Sequence, residues 1–183
     1  MGYRHSKEEI LEGAVAAVFE EGLSRLTFGV LARRLGISDR IVVYYFPSKD
    51  DLIGEVLAVI GTRLEQALVA AVKRPVADHV QLVRSVWPLL ARRAVDPVFA
   101  VYFEASGLAA AGVEPYRTMA PALVSGWIAW AEVLIEGTRT HRRTEAAAAV
   151  ATLDGLLLIR QLAGAEVANR AARGVWGATS SSN

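Results

Sequence analysis

Residues 27–52, TFGVLARRLGISDRIVVYYFPSKDDL, decide how this 183-residue chain is read. Thr27 is placed to cap a helix in which Phe28, Leu31, Ala32 and Leu35 recur at i, i+3, i+4 and i+7, a single apolar stripe. Gly36 stands where that helix needs a residue tolerant of the left-handed conformation. Ile37 then returns to the core, and Ser38 is placed to cap a second helix. So short a connection makes the two helices cross steeply. Ala32 leaves room at their closest approach, and Val42 plugs the second helix into the crossing. The pattern is a helix-turn-helix.

The second helix, Asp39 to Tyr45, turns Val42 and Phe46 inward and leaves Asp39, Arg40, Val43 and Tyr44 on its outer face. Arginine can bind guanine through two hydrogen bonds, tyrosine can reach a base edge or a phosphate, and valine offers an apolar surface to a thymine methyl. Ser48 caps a third helix, with Asp51 completing a capping box, and Asp50 and Asp51 suit the positive helix start. Lys49 opposes the helix dipole there. A phosphate partner would account for it, and so, on spacing alone, would free solvation.

The run LTFGVLARRLGISDRIVVYYFPSKDDL, residues 26–52, resembles the DNA-binding region of the TetR family of transcriptional regulators. In that family a helix-turn-helix is followed by an aromatic cluster and by Ser-Lys-acid-acid-Leu opening a long linking helix. The likeness extends by motif over about residues 6–56, and TLDGLLLI at 152–159 is also similar. The resemblance implies that Ser38, Asp39, Arg40, Ile41 and Tyr44 face DNA, while Thr27, Tyr45 and Lys49 contact backbone phosphates. Two positions depart. Val43 stands where the family usually has Tyr, and Ile41 where it has Thr or a small residue, so the operator does not carry over. The resemblance also implies an inducer pocket in the C-terminal region, with no indication of the inducer.

Composition sets the remaining bounds. A chain that is 53% hydrophobic folds, and without cysteine it has neither disulfides nor thiolate metal sites, which makes the cytoplasm the natural compartment. No early apolar stretch has signal-peptide length, and no run approaches the ~20 apolar residues that span a bilayer, so no membrane partner is expected. Net charge is only +1, but it is unevenly spread. Between positions 25 and 49 the bases Arg25, Arg33, Arg34, Arg40 and Lys49 face one acid, Asp39. The preceding helix carries Glu8, Glu9, Glu12, Glu20 and Glu21. A concentrated patch is what binds phosphates, and a dimer doubles it.

The rest of the chain reads as further helices. The first, from Ser6 to Gly22, buries Ile10, Ala14, Ala17 and Val18, and is preceded by an arm in which Arg4, with Lys7, could lie near phosphates. A long helix over 48–72 links reader to body. Others are expected at 78–94, from Asp96-Pro97, from Glu114-Pro115 towards Gly137, and from Glu145, capped by Thr144, to Ala172. The basic segment Thr138 to Arg143 reads as a loop. No strand alternation or long repeat is visible, so the fold class is all-α, with nine or ten helices. The division is a helix-turn-helix domain at 1–47, a helical regulatory and dimerisation domain at 48–176 and a disordered tail at 177–183.

Nothing points to an enzyme: His5, His79 and His141 match no metal-ligand spacing, nucleotide and hydrolase motifs are missing, and neither metal nor cofactor is implied. A ligand pocket for an apolar or aromatic effector is expected among Arg84, Trp87, Phe99, Tyr102, Phe103, Glu104, Tyr116 and Trp127, although core packing explains most aromatics equally well. Glu104 in so apolar a helix needs either exposure or a partner. A homodimer interface is expected from Trp130, Leu134, Ala147, Ala151, Gly155 and Leu158, where small residues permit close helix approach into a four-helix bundle. The function that follows is a homodimeric, ligand-responsive repressor on palindromic double-stranded DNA. The alternatives are a ligand-independent activator of the same fold and a helical interaction module that no longer reads DNA.

Overall fold

The structure is a computed structural model and describes residues 6–72 and 74–177. The N-terminal arm with Arg4 and His5, and the tail from Ala178 on, lie outside the described residues. Nine α-helices and one 3-10 turn account for the fold among them, and the only strand-like pairing is a parallel bridge between Val76 and Ile135. The helices are α1 (Lys7–Glu21), α2 (Phe28–Leu35), α3 (Asp39–Tyr45), α4 (Lys49–Val69), α5 (His79–Leu90), α6 (Asp96–Ala110), α7 (Tyr116–Val133), α8 (Arg139–Ala163) and α9 (Ala165–Gly177).

The chain forms two compact units. One holds residues to Arg63 together with Val101–Ala120; the other holds Leu64–Ala100 and everything from Pro121 on. Helices α4, α6 and α7 each contribute to both.

In the first unit, local signals start and stop each helix. Ser6 and Glu9 form a capping box at α1. Thr27 Oγ1 accepts from the Val30 amide at 3.1 Å, and Ser48 and Asp51 close a second capping box at α4. Ile10, Ala14 and Val18 of α1, Leu31 and Ala32 of α2, Val42 of α3, Phe46, and Leu52 and Val56 of α4 are buried and make one core. Lys7, in the sequence a possible phosphate contact, instead binds Glu55 at 2.6 Å with its ammonium 5.3 Å from the centre of the Phe46 ring.

In the second unit α8 packs against α5 and α9 through Ala146, Ala149, Leu153, Leu156 and Leu157. Trp87 donates its indole N–H to Asn169 Oδ1 at 3.0 Å, tying α5 to α9. Arg160, almost fully buried, holds Asp96 with Nε at 2.6 Å and Nη2 at 3.1 Å from its two carboxylate oxygens.

Three sequence expectations change here. The last helix does not begin at Thr144. Thr138 is the cap, accepting from the His141 amide, so the basic segment read as a loop is the first turn of α8. Nor does that helix run unbroken to Ala172, because Gly164, at φ +88°, separates α8 from α9. Third, α8 is long and apolar enough to cross a bilayer by length and composition, yet only 39% of its most apolar stretch is buried. Its alanines make it apolar without an obvious hydrophobic run.

Candidate nucleic-acid interface

The turn between α2 and α3 is built by backbone hydrogen bonds. Gly36 adopts φ 66°, ψ 30°, its amide donates to Arg33 O, and the Ile37 amide reaches back to Ala32 O at 3.0 Å. This is the double bond of a Schellman ending, and it fixes the direction in which α3 leaves α2. Val42 and Phe46 are fully buried, and they orient α3 so that its other face points to solvent. Ser38 occupies the N-cap position of α3, but its side chain makes no capping bond, so its hydroxyl is not committed to the helix.

On the outer face, Asp39 and Arg40 are exposed, Val43 is 44% and Tyr44 80% exposed, and Ile41 and Tyr45 are half-buried. The Tyr44 and Tyr45 rings meet edge to face with centroids 5.0 Å apart. An exposed aromatic held by another ring and by a short helix is a projecting contact, not a core residue. Thr27 and Lys49 are also exposed, at the starts of α2 and α4. The basic residues are not equivalent. Arg34 is held by Glu20 through two bonds of 2.7 and 2.6 Å, which keep the Glu20 carboxyl below its ordinary range. Among the described residues, Arg25, Arg33, Arg40 and Lys49 make no ion pair and keep their charge for another partner.

The residues expected around a ligand divide between the two units. Trp87 and Phe99 are buried in the second unit with Trp127 half-buried and Arg84 exposed; Tyr102 and Phe103 pack edge to face, and Tyr116 is buried, in the first. Glu104 has its partner: it accepts from the Leu23 and Ser24 amides and the Ser24 hydroxyl, a bond 80 residues long in sequence that no local pattern announces. In the second unit, Trp130 Nε1, Arg142 Nε and Arg160 Nη1 are buried donors with no acceptor.

Of the residues expected at a dimer interface, Ala147, Ala151, Gly155 and Leu158 lie exposed along one side of α8, opposite its packed face, while Trp130 and Leu134 are half-buried. The exposed apolar side of α8 continues past these residues. Leu162, one turn further, and Val133 of α7 are each 79% exposed. Leu162 continues the i, i+4 spacing beyond Leu158.

A small helical bundle that presents one solvent-facing helix after a tight turn, joined to a larger helical unit, has the architecture of helix-turn-helix proteins. Residues 10–56 match the family model described as bacterial regulatory proteins, tetR family. Solved structures share the fold over most of the chain. A transcriptional regulator from Rhodococcus sp. Rha1 is 21% identical, with 94% of this chain and 95% of that one covered at a TM-score of 0.73. A TetR transcriptional regulator from Legionella pneumophila is 19% identical, covering 98% and 99% at 0.64. The multidrug binding protein EbrR, complexed with imidazole, is 25% identical, covering 96% and 93% at 0.66. Residues 10–56 thus resemble the DNA-binding region of that family, and the rest of the chain shares the fold of these structures, which are described as transcriptional regulators or as a multidrug binding protein.

Proposed function

We propose that the protein is a cytoplasmic homodimeric repressor that binds a palindromic operator and releases it when a small molecule enters the helical body. The observation that carries the reading is the outward face of α3, where an unpaired Arg40 and a projecting Tyr44 are held by the buried Val42 and Phe46. Ser38, Asp39, Arg40, Ile41 and Tyr44 read bases, and Thr27, Tyr45 and Lys49 hold phosphates that set the register. The reader is residues 1–47, and the regulatory and dimerisation region is 48–176.

A single helix-turn-helix covers few base pairs, so two copies with half-sites about 34–36 Å apart are required for affinity and specificity. The exposed small and apolar side of α8, from Ala147 to Leu162, together with Trp130 and Leu134, supports pairing into a four-helix bundle. EbrR, described as a multidrug binding protein, has structures with imidazole and with proflavin. By analogy the effector here is an apolar or aromatic compound, and it lowers operator affinity only by preferring the state that cannot bind DNA.

Selection of duplexes from a random pool at two salt concentrations, with the protein's mass in solution recorded, tests the reading. An enriched palindrome bound by a dimer is expected. Absence of enrichment and of salt-sensitive binding would leave a helical interaction module instead.

A further inference from the structure

We propose that Glu104 of α6 is a positioning residue for DNA reading, because its carboxylate grips the turn between α1 and α2 and so sets the pose of the helix-turn-helix. The inference rests on the DNA-binding reading above. One carboxylate accepts three bonds: from the Leu23 amide at 2.8 Å, the Ser24 amide at 2.9 Å and the Ser24 hydroxyl at 2.5 Å. Within the turn itself the backbone makes one further bond, from the Leu26 amide to Leu23 O. Glu104 therefore supplies most of the polar restraint on this segment.

The approach depends on Gly22. That residue has φ +89°, and a Cβ built on it would lie 2.9 Å from Glu104 Oε2, so any larger residue would push the carboxylate away. The turn also leads directly into the reader. Three residues after Ser24, Thr27 caps α2, and the Gly36 ending joins α2 rigidly to α3. Fixing Ser24 thus fixes where the phosphate contact at Thr27 and the base contacts on α3 stand.

Glu104 is the only charge on α6 apart from Asp96 at its start, and it is flanked by the buried Val101 and Ala105. An apolar side chain would serve packing there equally well, whereas a carboxylate aimed at two adjacent amides accepts only one register of the turn. Burial pushes the Glu104 carboxyl up, but the hydrogen bonds from Ser24 and Leu23 outweigh it and hold the group below its ordinary range. It remains charged at neutral pH. The buried Tyr116 phenol is pushed up by burial first and then by the Glu104 and Asp50 charges.

The test uses the full chain, the duplex enriched from the random pool, and a scrambled duplex. Glu104→Ala is expected to weaken the enriched duplex roughly tenfold, in the usual range for coupling between sites, with the scrambled duplex nearly unaffected. Hydrogen exchange should speed at the Leu23 and Ser24 amides while α1 and α3 keep their protection. Ser24→Ala, at an exposed position that does not threaten folding, should show part of the loss in the native background and none once Glu104 is alanine. Equal weakening of both duplexes, additive losses, or exchange that quickens throughout the head would overturn the role and leave Glu104 a general brace. A wild type that enriches a duplex, with a Glu104→Ala variant that binds it equally well, overturns the role alone. A wild type that enriches none overturns the DNA reading, and the role with it.

Discussion

Helices α3 and α8 both present a face to solvent, and the two faces have opposite chemistry. On α3 the exposed side carries Asp39, Arg40 and Tyr44 around a lone Val43; on α8 it carries Ala147, Ala151, Gly155, Leu158 and Leu162. A seven-residue helix with a mixed polar face is suited to groove edges, where each position meets a different donor or acceptor. A twenty-five-residue helix with a small, apolar face is suited to another helix, where area and close approach count. Exposure alone therefore does not identify a function; what the exposed atoms can bond to does.

The comparison breaks most completely at α8. Leu162→Asp places a charge on the exposed stripe, and is expected to halve the mass in solution by light scattering and to abolish tight operator binding while helicity is unchanged. A variant that remains dimeric would show that the interface lies elsewhere. Next in size, Phe46→Ala removes the fully buried ring that seats α3, and should cost about 3–5 kcal/mol in denaturant unfolding of the first unit. A loss below about 1 kcal/mol would mean that this face of α3 is not seated by the core.

On the outer face of α3, Arg40→Ala should cost about 1–3 kcal/mol in the affinity for an enriched duplex and relax one base position, whereas Lys49→Ala, at the start of α4, should weaken every duplex alike and lower the salt slope by about 1. Identical sequence profiles for both variants and the native protein would remove Arg40 from the recognition surface. The smallest effect concerns pH. Glu145 is held below its ordinary value of 4.5 by the His79 amide and then by its ring, with Nδ1 at 2.6 Å. A depressed carboxyl stabilises the fold above its unfolded value, and that contribution is lost as pH falls through the folded value. Urea midpoints should therefore converge for native protein and Glu145→Gln as pH drops from about 5 to about 3. A constant gap between the two would remove this pair as a source of acid sensitivity.

The two regions were not equally legible. The head announced itself through residues whose effect is local: Thr27 and the Ser48 and Asp51 pair act within one turn, and Gly36 acts through its own φ. Ser38 shows the limit even there, since its position is that of a cap and its side chain forms no capping bond. In the body, Ala, Leu and Val recur so densely that several faces of α8 look equally apolar, and periodicity cannot choose among them. The same density hid Thr138 as the true start of α8 and Gly164 as its end.

By itself the sequence determined the order of the first seven helices, the tight turn before α3 and the residues that turn leaves outside, because caps, glycines and a 3.6-residue stripe act over a few positions. Tertiary structure decided which side of α8 packs against α5 and α9, that Arg34 is neutralised by Glu20, and that Glu104 holds Ser24. Those contacts join residues 14 to 80 positions apart, and a bond of that span is set by how faces pack, which no local propensity encodes.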